Sequence, residues 1–236
     1  MTKLAGRPRP VRVALFVTCL GDVFYPEAGE ATVRLLHRLG IAVDFPLGQT
    51  CCGQPAFNAG FRQPARDVAR RNLALFADDP VLGEQAEALA ARTYELAEFL
   101  VNVVGVERLG AVFHGKVAYH ASCHLLRELG VAEEPRRLIA HVEGTELVPM
   151  DLAEQCCGFG GTFAVKYPEI SDAMLQKKIA SLKRTGADTL VSCDAGCLMH
   201  IAGRLRRQGE TIRIMHLAEI LNARDTADAP QKPSEH

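Results

Sequence analysis

Two adjacent cysteines followed by a glycine restrict a chain strongly, and this sequence carries the pattern twice, as Cys51-Cys52-Gly53 and Cys156-Cys157-Gly158. Each pair follows a lone cysteine. Cys19 is separated from Cys51 by 31 residues, and Cys123 from Cys156 by 32. The pairs lie 105 positions apart and the lone cysteines 104. That spacing reads as an internal duplication of a thiolate constellation. A disulfide within a vicinal pair would close a strained small ring, so the pairs are not read as structural bridges.

Hydrophobic patterning supports two halves. Val11 to Thr18 reads as a buried parallel strand, and Ile41 to Phe45 as a second strand. Glu30 to Leu39 and Pro64 to Phe76 have helical apolar spacing, and Gly21-Asp22 reads as the start of a loop. Val81 to Val104 reads as one long helix, with no strand between it and the preceding one, and Gly105 to Gly115 as a connector. The layout then repeats. Strands are predicted at Lys116–Ala121, Glu146–Pro149, Asp188–Ser192 and Thr211–Met215. A helical turn is predicted at Leu125–Leu129, and helices at Pro135–Val142, Ile170–Thr185, Cys197–Gln208 and Ala218–Asn222. Residues 1–10 and 224–236 are expected to be flexible tails. The fold class is therefore α/β, in two pseudo-repeated halves (11–104 and 116–223) with mostly parallel sheets flanked by helices. Ligands in such sheets gather beyond the carboxyl ends of strands, where the cysteines fall.

Composition narrows the function. The net charge of −1, the absence of Trp and 6% aromatic residues give no footprint for nucleic acid. No run approaches the roughly 18 apolar residues of a spanning helix. The short apolar run Val11–Val17 lacks the cleavage site of a secretory signal, so a cytoplasmic protein is expected. Thiols stay reduced there, and eight cysteines then point to metal or redox chemistry.

The second half offers five thiols, Cys123, Cys156, Cys157, Cys193 and Cys197, enough for one four-iron cluster. The first half offers three, Cys19, Cys51 and Cys52, and alone falls short of four. Gly158, Gly160 and Gly161 would let backbone N–H groups approach cluster sulfides, and Lys166 would offset negative charge. His120, His124 and His200 lie near the cysteines, as ligands, proton donors or ordinary satisfied polar groups. Arg204, Arg206 and Arg207 make a basic helix end that complements the helix dipole. A zinc site is the alternative, with Cys193-x3-Cys197 as its one knuckle-like spacing.

Several blocks resemble a known family: VTCLGDVFYPEAGEATVRLL at 17–36, GQTCCGQPAFNAG at 48–60, HASCHLLRELGV at 120–131, CCGFGGTFAVKYPEIS at 156–171, DAGCLMHIAGRL at 194–205 and IMHLAEIL at 214–221. The chain resembles the CCG-motif cysteine-rich proteins, which include a component of heterodisulfide reductase and the glycolate oxidase iron–sulfur subunit. Within them it is similar to the group serving bacterial L-lactate oxidation. The resemblance implies an iron–sulfur electron-transfer subunit of an oxidoreductase complex, acting with partner subunits, one of them also iron–sulfur. It places the cluster motif on Cys123, Cys156, Cys157 and Cys197, with Cys193 matching less securely because heterodisulfide reductase relatives end the motif in Cys-x2-Cys. Relatives also carry a strand and a cysteine-bearing segment between the helices that here meet near Phe76 to Pro80. Its loss leaves Cys19, Cys51 and Cys52 as a partial second site. A thiol–disulfide reductase subunit and a zinc-stabilised assembly scaffold are the alternative functions.

Overall fold

The computed structural model describes residues 9–76 and 88–224. The first half is built around a small parallel pair, β1 (Arg12–Ala14) and β2 (Ala42–Asp44). Between them run α1 (Cys19–Phe24) and α2 (Pro26–Arg38), and after them α3 (Gln54–Asn58) and α4 (Arg62–Phe76). The helix α5 (Leu96–Glu98) runs on into a π-helical stretch, Phe99–Val104, and leads to the second half.

The second half has a four-stranded sheet. Its strands are β3 (Val112–Tyr119), β4 (Glu143–Val148), β5 (Thr189–Ser192) and β6 (Arg213–His216), all parallel, in the spatial order β4-β3-β5-β6. The connections carry α6 (Glu134–Ala140), α7 (Phe163–Lys166), α8 (Pro168–Arg184) and α9 (Ala195–Arg207), and α10 (Leu217–Asn222) follows β6.

Strand alternation divides the core between the two sheet faces. Val117, Tyr119, Val191 and Met215 point to one face, where they pack with Leu100, Leu138, Ile139 and Leu217. Ala118 and Leu190 point to the other, under Leu175, Ile179 and Leu182 of α8 and Ile201 and Leu205 of α9. Leu35 of α2 enters the first of these cores, and Arg38 hydrogen-bonds Asn222 Oδ1 and Leu221 O. The two halves are thereby joined through α2 and α10.

The α/β architecture with parallel sheets is the one expected, but four local expectations are corrected. The strand read at Val11–Thr18 is only three residues long and exposed, with Val11 77% accessible, because its two-stranded sheet has little to bury it against. The loop expected from Gly21 is the helix α1, capped by Thr18, whose hydroxyl accepts from Gly21 N. The helix expected across Val81–Val104 lies partly outside the described residues, and its remainder is interrupted. Glu95 starts α5 with a capping box, accepting from Ala97 N and Glu98 N. The connector expected up to Gly115 already contains the start of β3, beside which Glu143 N donates to Ala111 O. Most of the two predicted tails lies outside the described residues.

Helix α10 carries a buried acid that gives a pH signature. Glu219 accepts from His216 N at 2.6 Å, and burial raises its carboxyl to about 7 against that bond. Between about pH 4.5 and 7 the folded chain therefore holds a proton that the unfolded chain has lost. By linkage, stability from this group is complete below that window and falls as pH rises through it, by at most about 3 kcal/mol. Glu219→Gln, which keeps an acceptor for His216 N, should flatten this slope in urea unfolding measured from pH 4.5 to 7.5.

Candidate metal centre

The centre forms beyond the carboxyl ends of β3 and β5, where three segments converge. Cys197 sits in the first turn of α9. Asp194 caps that helix, its Oδ1 accepting from Cys197 N at 2.8 Å, and its Oδ2 accepts from Ser122 Oγ at 3.2 Å. The cap ties the Cys197 segment to the Cys123 segment. Cys156 and Cys157 come from the loop before α7. Gly158 turns that loop with φ 91°, and its N–H donates to Cys156 Sγ at 3.3 Å. Ser171 of α8 holds the turn by donating to Gly158 O at 2.8 Å, and it lies 3.2 Å from His200 Nε2.

These segments bring four thiols together. Cys157 Sγ lies 3.2 Å from Cys197 Sγ, and Cys123 and Cys156 lie near enough to perturb each other's protonation, as Cys156 and Cys157 do. Cys157 and Cys197 are buried. Every one of these thiols is pushed up. Burial, then Cys156, raises Cys123. The bond to Cys157, then burial, holds Cys156 well above the ordinary thiol range. The bond to Cys156 favours the Cys157 thiolate, but Cys197 and burial outweigh it. The bond to Cys157 likewise favours the Cys197 thiolate, and burial with Asp194 outweighs it. Without a cation the group rests as thiols, and a soft metal that binds it must displace protons.

One residue of the centre escapes a reading of the sequence. Lys178 is fully buried in α8 and donates to Leu152 O and, at 3.1 Å, to Ala153 O. Burial lowers it to about 8, while the thiolate forms of Cys157, Cys197, Cys156 and Cys123 favour its charge. Its signal is a lysine on the apolar stripe Leu175-Lys178-Ile179-Leu182. His120 is buried beside it, and one of its nitrogens lies with Cys157 Sγ and Cys197 Sγ in a group spanning no more than 4.8 Å. Lys166, the lysine singled out from sequence, is instead over the Phe61 ring, 5.8 Å from its centroid.

Cys193 is not brought to this group. It follows β5 on the side of Val191, packed into the other core, 3.7 Å from Tyr119 Oη and near the Glu95 carboxylate. Burial drives its thiol well up. In the first half Cys19, Cys51 and Cys52 do meet: Cys19 Sγ is 3.9 Å from Cys51 Sγ, and Cys52 is the next residue along the chain. Gly53, with φ 85°, donates its N–H to Cys51 Sγ at 3.4 Å, the same turn as at Gly158. Gln49 clamps the two loops, accepting from Val17 N and donating to Leu15 O and Pro46 O. Cys19 and Cys52 are exposed, so this group is open to solvent. The two CCG loops are neighbours, since a side chain at Gly161 would touch Pro55 at 3.7 Å.

A parallel α/β scaffold with a cysteine constellation in each half defines a class, and the comparisons agree with it. A family model described as "CCG: Cysteine-rich domain" matches residues 13–105 and again 117–202, and the chain belongs to that family. It is 48% identical to lactate utilization protein A of Geobacillus kaustophilus, over 91% of this chain and all of the relative. It is 44% identical to lactate utilization protein A of Bacillus subtilis, with the same coverage. The first of these alignments runs over 239 residues while taking up 91% of a 236-residue chain, so the relative carries residues that this chain lacks. A crystal structure of a hypothetical protein from Helicobacter pylori shares the fold, with a TM-score of 0.52 and 11% identity. The match covers 91% of this chain, which spans about half (49%) of that protein.

The two matching turns are not equally tolerant. A Cβ at Gly158 would lie 2.6 Å from Ser171 O, whereas at Gly53 nothing comes closer than 3.5 Å. Gly53→Ala should cost about 1–2 kcal/mol, the left-handed backbone penalty alone. Gly158→Ala should cost clearly more in urea unfolding of the metal-free protein. Equal losses would mean that α8 shifts freely away from the loop.

Proposed function

We propose that the chain is an iron–sulfur electron-transfer component of a multi-subunit, cytoplasmic system that oxidises L-lactate to pyruvate. The observation that carries this reading is the contact of Cys157 Sγ with Cys197 Sγ, with Cys123 and Cys156 brought alongside, the thiolate count of one four-iron cluster. The donor chemistry fits: soft ligands, two of them buried, a backbone N–H on Cys156 Sγ, and a buried lysine to balance negative charge. The link to lactate rests on the relatives, which are named for lactate utilization.

A bound cluster supplies reversible one-electron transfer. The chain's own residues do the rest. Cys123, Cys156, Cys157 and Cys197 hold it, Asp194 and Gly158 orient the two ligand-bearing segments, and the α8–α9 core excludes water. Cys19, Cys51 and Cys52 form a partial second site. The chain acts as a non-autonomous subunit, with the substrate chemistry on its partners. Phe24, Phe57, Phe61, Val165, Tyr167 and Ile170 are exposed, and several flank the CCG loops, which suits docking of such partners. Among the described residues no helix is long and apolar enough to cross a membrane.

Protein purified anaerobically should contain about four iron and four acid-labile sulfide per chain. Cys157→Ser should lose most of both and abolish lactate-dependent growth. Zinc without sulfide would overturn the electron-transfer reading in favour of a scaffold. Turnover of a disulfide by the reduced protein would favour the reductase instead. In the cluster-bearing protein, Lys178→Met should lower the reduction potential by about 50 mV or more, the scale of one charge removed several ångströms away in a protein interior. Redox titration reads this directly.

A further inference from the structure

Ala153 O receives two buried side chains. Lys178 Nζ donates to it at 3.1 Å, and His120 Nδ1 lies 3.0 Å away. A carbonyl oxygen only accepts, so Nδ1 carries the imidazole proton. The other nitrogen, Nε2, is then a bare lone pair. It is fully buried with no hydrogen-bond partner. An acceptor left in that state costs about 1–3 kcal/mol, so something in the working protein should occupy it. One His120 nitrogen lies with the pair of buried sulfurs, Cys157 Sγ and Cys197 Sγ, in a group spanning at most 4.8 Å, and of the two nitrogens Nδ1 is already committed to Ala153 O. Histidines that bind metals are held in this manner, with the remote N–H fixed on a carbonyl and the free nitrogen turned to the ion.

We propose that His120 Nε2 is a fifth direct donor to the metal centre, beside the four thiols and next to Cys157 and Cys197, making its donor set mixed sulfur and nitrogen. The proposal rests on reading that centre as an iron–sulfur site. Strand parity explains why His120 serves. It follows Tyr119 of β3 and so takes the face of Ala118, the face of Cys157 and Cys197. Cys193 takes the opposite face and is engaged by Tyr119 and Glu95. Of the other nearby histidines, His200 is engaged with Ser171, and His124 Nδ1 lies 2.8 Å from Glu128 Oε2, a contact without hydrogen-bond geometry.

The test is pulsed EPR on the dithionite-reduced, anaerobically purified full chain, grown with natural-abundance histidine and with 15N-histidine. The expected result is a strong, directly bonded nitrogen coupling that shifts with the label and is lost in His120→Ala. The labelled wild-type protein carries the test if that variant fails to hold iron, and His120→Cys is the second variant, expected to keep iron and lose the coupling. Iron and sulfide are measured on the same samples. Full iron and sulfide with only weak, backbone-type nitrogen couplings would overturn the His120 assignment and leave the cluster reading intact. Absence of iron and sulfide would overturn both.

Discussion

Two sulfurs forty residues apart in sequence meet at 3.2 Å, and much of the second half serves that meeting. Cys197 is fixed because it lies in the first turn of α9, three residues after an aspartate that both caps the helix and grips Ser122. Cys157 is fixed because Gly158 takes a left-handed turn that Ser171 of α8 holds in place. Helices α8 and α9 are in turn pressed on one face of the sheet by Leu175, Ile179, Leu182, Ile201 and Leu205. The core therefore sets the sulfur geometry. Loops present the cysteines, but each loop is pinned to a rigid element within a few residues of its cysteine, the condition for a site that keeps its shape without metal.

The halves share the turn but not the surroundings. Gly53 and Gly158 each turn an N–H onto the first sulfur of the vicinal pair. In the second half the strands β3 and β5 run side by side in a four-stranded sheet and are covered on both faces. In the first half a two-stranded sheet leaves Cys19 and Cys52 open to water. Thiolates in the first setting are costly unless a cation holds them, whereas solvent can stabilise those in the second. Duplicated sequence patterns thus carry different chemical weight, decided by how many strands stand behind them.

Much of this was legible in the sequence, for identifiable reasons. The cysteine spacing and the strong helical stripes of α2, α8 and α9 are local patterns, and they located the two repeats and the cysteine-bearing segments that converge. Short elements were less visible. Helix α1 depends on a Thr18 cap inside a stretch that reads as strand and loop, and α3 on a glycine turn followed by proline. Cys193 looked like a ligand by spacing alone. Its alternation with Leu190 and Val191 in β5 places it on the other face, a parity that becomes informative once β5 is known to be covered on both sides. Lys178 was hidden for the opposite reason. A lysine in an amphipathic helix is ordinarily solvated, and only the company of Leu175, Ile179 and Leu182 marks its position as inward.

The charge balance of the centre follows from that inward lysine. An ammonium buried without a partner tends to give up its proton, and burial draws Lys178 down to about 8. The same residue is favoured in its charged form by each of Cys157, Cys197, Cys156 and Cys123. While those groups are neutral thiols, only Leu152 O and Ala153 O support the charge. Once they are metal-bound thiolates, the ammonium gains four negative neighbours, and they gain a counter-charge that water cannot reach to screen. Metal binding and the charge on Lys178 are therefore linked, and each favours the other. The polar groups left buried on this side of the sheet make sense together as the environment of a negatively charged, metal-holding group, and would be a costly way to build an ordinary core.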